Sequence, residues 1–431
     1  MLHRSIVLLA ASAISSAAGA TNGIFNVISL EVNGYQAALE RCGLTDSDKM
    51  RNMNHIGLAI AENDYDIINV QEDFHYHEWL IKGLTQQFRT ETSGDVPSGS
   101  GLNTFSKYDW VDFSRNKWDS CGNACSSALG FTFMRVRIDK GVYIDMINLD
   151  VNRFNDQKAT SLNIKQLSEF IRTESDGNAI IIFGNTGSLY TRNDDNLETV
   201  ALEHDLKDAW VEAIGDRGSA YSMAMCPGGA PLDLLCESEQ KILYRGSRAI
   251  NLKAHGFYYD TLRFKSPEGY FLSGQYPVRA AFEWSLYPSV GQSKPYGGSD
   301  GKRFSDMAYF LEPLRVESIT LRGANRLDGL TIAYPGINAR THGGSGGKAY
   351  TISLDPGEFI AAVEVCWGEK DNHTSIFYAG VTTSSYKFVE AGKMTDRCRL
   401  VSVPQGYALA GTYGRDGKEI NQLGFIYAKR P

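Results

Sequence analysis

Ala179-Ile180-Ile181-Ile182-Phe183-Gly184-Asn185-Thr186-Gly187-Ser188 is the stretch whose reading decides the fold. Its unbroken apolar start predicts a strand buried on both faces. Gly184 ends the run and lets the backbone turn. The side chains just beyond then stand at the rim of a sheet, where an α/β sandwich can keep a site. Working outward, Ser161–Ser175 places Ile164, Leu167 and Ile171 on one face of a helix. Gly130–Ile138 and Gly141–Asp150 read as strands joined at Asp139-Lys140, with Thr132, Met134, Val136 and Ile138 facing one way and Arg135 and Arg137 the other. Further back lie a strand at Ile24–Leu30, a helix over 46–63 opened by Asp46 or Ser47, and a strand at Tyr65–Val70. Downstream, Asp208-Ala209-Trp210, Lys241–Arg245 and Ser273–Val278 close the unit near Trp284. Alternating strands and helices with hairpins predict a layered α/β domain over 21–285.

The texture changes after it. Residues 286–295, with Pro288, Gly291 and Pro295, read as a linker. Residues 296–431 carry glycine doublets at Gly297-Gly298, Gly343-Gly344 and Gly346-Gly347 between short β-rich runs, with no helical period. A second, all-β domain is expected there.

The N-terminus starts with His3 and Arg4, continues through an apolar centre and ends at Ala18-Gly19-Ala20. That order predicts a signal peptide over residues 1–20 and a secreted, extracellular protein. A membrane anchor is the alternative, but the apolar run is too short to span. A net charge of -7 weighs against non-specific nucleic-acid binding. Secretion permits disulfides, and neighbours among the seven cysteines pair as Cys121–Cys125, Cys226–Cys236 and Cys366–Cys398, leaving Cys42 over. Cys121 and Cys125 have the spacing of a metal pair too, but no second Cys or His pair lies near them. Asn372-His373-Thr374 is an N-glycosylation sequon.

Phe25–Ile28, Tyr65–Phe74 with its Gln71-Glu72, Gly99–Thr104, Gly130–Val136, Ala179–Gly184, Lys241–Ser247 and Tyr276–Val278 follow one another in an order that resembles the endonuclease/exonuclease/phosphatase superfamily. The resemblance implies a four-layered α/β sandwich of the DNase I-like kind. Active members hydrolyse phosphoesters with Mg²⁺, a metal carboxylate, two histidines and an Asp-x-Asn pair. Glu72 matches the carboxylate. The first-strand Asn is Glu31, the first histidine is Asp150, and the Asp after it is Asn152. The Asp-x-Asn pair is Asn185 and Gly187, the acid before Lys241 is Gln240, and the terminal Asp-His is Gly274-Gln275. Neither proton-transfer position keeps an imidazole. His75 and His77, close by Glu72, read as a structural or exposed loop pair. The resemblance therefore implies an inactive member. Glu31, Glu72 and Asp150 are expected at one rim, where they would bind Mg²⁺ or Ca²⁺ or share a proton.

Gly297–Gly301, His342–Gly347, Leu354–Ile360 and Gly414–Gly424 together resemble a jacalin-like lectin domain. The resemblance implies a β-prism whose sugar site uses backbone N–H groups at Gly297 and Gly298 and the loop Gly417-Lys418-Glu419-Ile420-Asn421. Asn421 stands where the family has Asp, which implies weakened or altered sugar binding. A prism serving as a spacer or protein-docking module is the other reading. Three functions stay open: a binding protein for glycans or glycoproteins, an active phosphodiesterase such as a nuclease or sphingomyelinase-like enzyme, and a protein–protein decoy.

Overall fold

The computed structural model describes residues 20–39, 43–120, 128–151, 156–192, 195–215, 217–231, 233–309 and 315–430. The signal peptide but for its last residue, Cys42, Cys121, Cys125 and Asn152 lie outside the described residues.

Two six-stranded sheets form the N-terminal half. The first runs, in spatial order, Ile250–Tyr259, Val278–Leu286, Asn22–Glu31, Ile67–Gln71, Asn103–Ser106 and Phe88–Arg89. The second runs Trp110–Lys117, Gly130–Asp139, Val142–Leu149, Ile180–Asn185, Gln240–Arg245 and Lys207–Asp208. Alternation along Asn22–Glu31 splits its side chains. Phe25 and Val27 join a core with Ile147 and Phe183 of the second sheet. Ile28 and Leu30 join another with Met53, Ile56 and Ile60 of the helix Asp46–Glu62. The helix Gln157–Glu174 buries Ile164, Leu167 and Ile171, and its Phe170 ring packs 4.8 Å from Phe131. The half is thus a mixed domain of helices and sheets, with the central strand Ile180–Asn185 buried along its whole length.

Several expectations shift. Thr45, not Asp46 or Ser47, caps the first helix: its hydroxyl accepts from Asp48 N, and the Asp48 carboxylate accepts from Thr45 N at 3.0 Å. Asp208 ends a strand and caps the next helix, accepting from Trp210 N at 2.8 Å, so Ala209-Trp210 is helical rather than extended. Arg135 and Arg137, on one face of their strand, meet different surroundings. Arg137 pairs with Asp109 near the surface, whereas Arg135 is buried and forks onto Asp145 at 2.7 and 2.9 Å. The cover over Arg135 is partly the second domain, whose Tyr413 ring lies below its guanidinium.

Three sheets build the C-terminal half around one core that includes Ile319, Leu330, Val365, Val381, Leu423 and Phe425. Within the stretch expected as a linker, Val290–Gln292 pairs antiparallel with Ala428–Ile426, and Ser293 N donates to Phe425 O at 2.9 Å. Pro and Gly discourage packing, but at a sheet edge they still allow pairing. Disulfides join Cys226 to Cys236 and Cys366 to Cys398.

The halves are tied together by charge and by apolar contact. Met307, Tyr413 and Ile426 lie in the same buried cluster as Val142 and Ile144. Asp112, on an N-terminal strand, receives both Arg303 and Arg415 from the other half, and Arg303 also reaches Glu174 at 2.8 Å. Burial alone would raise the Asp112 carboxyl, but the two guanidinium groups outweigh it and hold it below its ordinary value.

Candidate functional site

The rim predicted from the central strand is formed where both sheets end. Glu31 and Gln71 are register partners on parallel strands, and Asn185 and Gln240 are partners on antiparallel ones. Asp150 continues the line as an isolated bridge to Asn185. Glu31, Gln71, Glu72, Asp150, Asn185 and Gln240 are all buried.

A chain of neutral groups crosses between the sheets here. Gln71 Nε2 donates to Asn148 Oδ1 at 2.8 Å and to Ser29 Oγ at 3.0 Å, and Ser29 Oγ donates to Gln240 Oε1 at 3.1 Å. An acid at 240 could stabilise a charged neighbour; the amide there is already a member of an uncharged relay. Asn185 Oδ1 accepts from Gly187 N at 3.0 Å, closing a local turn with Gly187 at φ 59°. Asn185 Nδ2 and Gln240 Nε2 find no hydrogen-bond partner among the described residues. Asn185 and Gln240 thus bring amides to a rim that also holds Glu31, Glu72 and Asp150.

Gly274 explains itself sterically. A Cβ there would collide with Glu31 Oε1 and come within 3.0 Å of Asn33 Oδ1. Ser273 Oγ donates to Glu31 O at 2.7 Å and holds that loop against the strand. The longer Glu31 fills the space beside a residue with no side chain. Glu72 sits at φ 57°, and its carbonyl accepts from Gly34 N at 2.7 Å. Among the described residues, no group of three or more His, Cys, Asp or Glu side chains is arranged to hold a metal ion.

The nearby histidines are occupied. His77 Nδ1 lies 2.7 Å from the buried Asp73, which also accepts from Asn103 Nδ2 at 2.7 Å. Burial pushes the His77 imidazole down, but the Asp73 hydrogen bond and charge prevail and its pKa is raised. His75 pairs with Asp95 on the surface.

A cleft of about 440 Å³ opens over the rim, with Gly187 and Gln275 in its wall. Sequence reasoning missed the rest of that wall. Arg192 is held by Asp195 at 2.8 Å and Glu239 at 2.6 Å, and Gln157 Nε2 donates to Asp195 at 3.0 Å. No motif marks these residues: Arg192 and Asp195 follow the central strand, Gln157 opens a helix, and Glu239 precedes the strand Gln240–Arg245.

In the second domain, Gly297 has φ 111°, and a Cβ on it would press within 3.0 Å of Gln422 Cα. Gly298 N donates to Asn421 O at 2.9 Å, and a Cβ on Gly298 would lie 2.9 Å from Thr374 Cβ. The doublet and the Gly417–Asn421 loop are therefore one cradle, with Gly417 and Lys418 exposed at its lip. Asn421 is buried: its Nδ2 donates to Ser375 Oγ at 3.2 Å, and Ser375 Oγ donates to Glu419 Oε1 at 2.9 Å. Arg326 pairs with the other Glu419 oxygen. Ser375, Thr374 and Arg326 escaped sequence reasoning as site residues because the first two come from the strand His373–Thr383 and Arg326 from the bend before Leu327. Asn372 is exposed on the turn two residues before Thr374, and beside it His373 pairs with Asp300 at 3.0 Å.

Residues 293–426 match the family model of the jacalin-like lectin domain. The C-terminal region is such a domain, consistent with its three sheets. The N-terminal part is homologous to sphingomyelinases: those of Mycobacterium bovis and Mycobacterium tuberculosis are 30% identical over 230 residues, 52% of this chain and 46% of theirs. The chain thus spans about half the length of those curated relatives. The secreted RxLR effector protein 19 of Plasmopara viticola is 29% identical over 143 residues, 31% of this chain and 79% of that protein. Among solved structures, a mannose binding jacalin related lectin from Ananas comosus is 21% identical, covering 33% of this chain and 99% of that one at a TM-score of 0.30.

Proposed function

We propose that this is a secreted two-domain binding protein, in which a phosphodiesterase-like scaffold without turnover carries a carbohydrate-binding lectin module. The scaffold reading places residues 21–285 in a DNase I-like sandwich and residues 296–431 in the lectin module. The observation that carries it is the pair of amides at the rim, Gln240 and Asn185. Gln240 is locked in the Asn148–Gln71–Ser29 relay, and Asn185 spends its carbonyl on Gly187 N. An amide accepts no proton at neutral pH, so no group at these positions can serve as general base. The glycine cradle supports the binding half of the reading: Gly297 and Gly298 pack tightly on Asn421 and Thr374, and Gly417 and Lys418 stand exposed beside them.

The test is one preparation assayed twice. Turnover of sphingomyelin and of a nitrophenyl phosphodiester is measured with Mg²⁺, alongside a glycan array. The reading expects array binding and no turnover above buffer. Metal-dependent turnover abolished by Glu72→Ala would overturn it in favour of a phosphodiesterase working through a rearranged site.

A further inference from the structure

The strand Ile420–Lys429 begins in the sugar cradle and ends elsewhere. Ten residues of extended chain separate its ends by roughly 30 Å. At the far end, a cleft of about 400 Å³ opens in the prism. Its floor is apolar: Val316, Leu354, Ile360 and Leu409 are all buried. Its edge is cationic: Arg315, Lys429 and Arg430 are exposed around it. The Arg430 guanidinium lies over the Phe359 ring, 4.0 Å from its centroid, which holds the charge beside the apolar floor. One carboxylate, Glu358, shares the wall, but it is already engaged by Lys387 Nζ at 2.8 Å and by Asp355 N at 2.8 Å. The wall is therefore apolar below and positive above, with its own negative charge compensated.

We propose that this cleft binds a single-chain amphiphile with an oxyanion head. The aliphatic tail lies on the Val316, Leu354, Ile360 and Leu409 floor, and the carboxylate or phosphate head meets Arg315, Lys429 and Arg430. Charge complementarity selects the head: guanidinium forks match oxyanions and reject ammonium groups. The apolar floor selects a tail over a bare ion.

Calorimetry on the full chain tests this with dodecanoate, dodecyl phosphate, dodecyltrimethylammonium and inorganic phosphate, each below its micelle concentration. Saturable binding of one dodecanoate or one dodecyl phosphate per chain is expected, and the two arms tell carboxylate from phosphate recognition. Inorganic phosphate should bind at least tenfold more weakly. Arg315→Gln and Lys429→Gln, both at exposed positions, should each weaken amphiphile binding about tenfold, as loss of a charge-assisted contact does, without moving the melting temperature. The proposal is overturned if neither anionic amphiphile saturates, if the ammonium amphiphile binds as well, or if the variants bind undiminished. Sedimentation with phosphatidylserine vesicles, without uptake of free amphiphile, would also overturn it by assigning the charges to a membrane surface.

Discussion

Asp112→Asn probes the seam between the two domains most sharply. The Asp112 side chain is 3% exposed, and the guanidinium groups of Arg303 and Arg415 are 5% and 8% exposed. Removing the carboxylate leaves two buried cations facing each other; Arg303 keeps Glu174, and Arg415 loses the carboxylate it forks onto. Breaking such a pair from one side typically costs about 3–5 kcal/mol. A control of similar chemistry lies on the same strand region: Arg137 and Asp109 meet at 2.8 Å, but both are about a third exposed. Water and salt screen that pair, and Asp109→Asn should cost about 0.2–1 kcal/mol. Urea unfolding of both variants, followed by tryptophan fluorescence and circular dichroism, measures the difference. Replacing Asp112, Arg303 and Arg415 together with apolar residues of similar volume should recover part of the loss, since of the buried cluster only Glu174, 18% exposed, then lacks its partner. Asp112 also gives stability a pH dependence. A carboxyl held below its ordinary value in the folded state contributes stability that is present above that ordinary value and is lost as the pH falls through the folded one. The reasoning fails if Asp112→Asn costs no more than Asp109→Asn, or if its acid sensitivity matches the wild type.

Gly274→Ala should destabilise the protein by about 1–3 kcal/mol through its clash with Glu31, and Glu31→Ser should recover that loss; thermal melts of the singles and the double decide it, and an unrelieved double would sink the idea of a coupled pair. His77 has a raised pKa, so its contribution to stability is full below the unfolded value of about 6.5 and is lost as the pH rises through the folded value; an NMR titration should show the elevated midpoint, and Asp73→Asn should bring it down. Gly298→Val should abolish glycan capture, since the new side chain strikes Thr374, while Asn421→Ala should weaken it by removing the Ser375 contact that steadies the loop; array binding equal to wild type in Gly298→Val would place the sugar site elsewhere. On the proposed function, Asn185→Asp alone should produce no phosphodiester turnover, because neither Asp150 nor Gln275 supplies an imidazole.

The fold was largely legible in the chain. The apolar run Ala179–Phe183 emerges as a strand with every residue buried, and the Gly130–Asp150 hairpin forms with its turn one residue later than expected. Two neighbouring cysteine pairs are bonded as spacing predicted. Periodicity works for these elements because it records burial directly. It is silent on the cover of Arg135, which comes from Tyr413 far along the chain, and it fails at Val290–Gln292, whose pairing partner lies at the C-terminal end. Of the rim, Glu31, Gln71, Asp150, Asn185 and Gln240 were found by position. Arg192, Glu239 and Asp195 were not, because ordinary charged loop residues carry no pattern until a cleft gathers them.

The sequence alone determined which chemical groups stand at the end of each strand, and so which rim positions hold an amide and which a carboxylate. No folding can make a base of Asn185 or a side chain of Gly187. Tertiary structure alone decided how those groups are used. It set Glu31 against Gly274, threaded Gln71, Ser29 and Gln240 into one relay across two sheets, and buried Asp112 between two arginines of the other domain. Each of these joins residues from separate elements, and only packing in three dimensions sets the distances on which hydrogen bonds and charges depend.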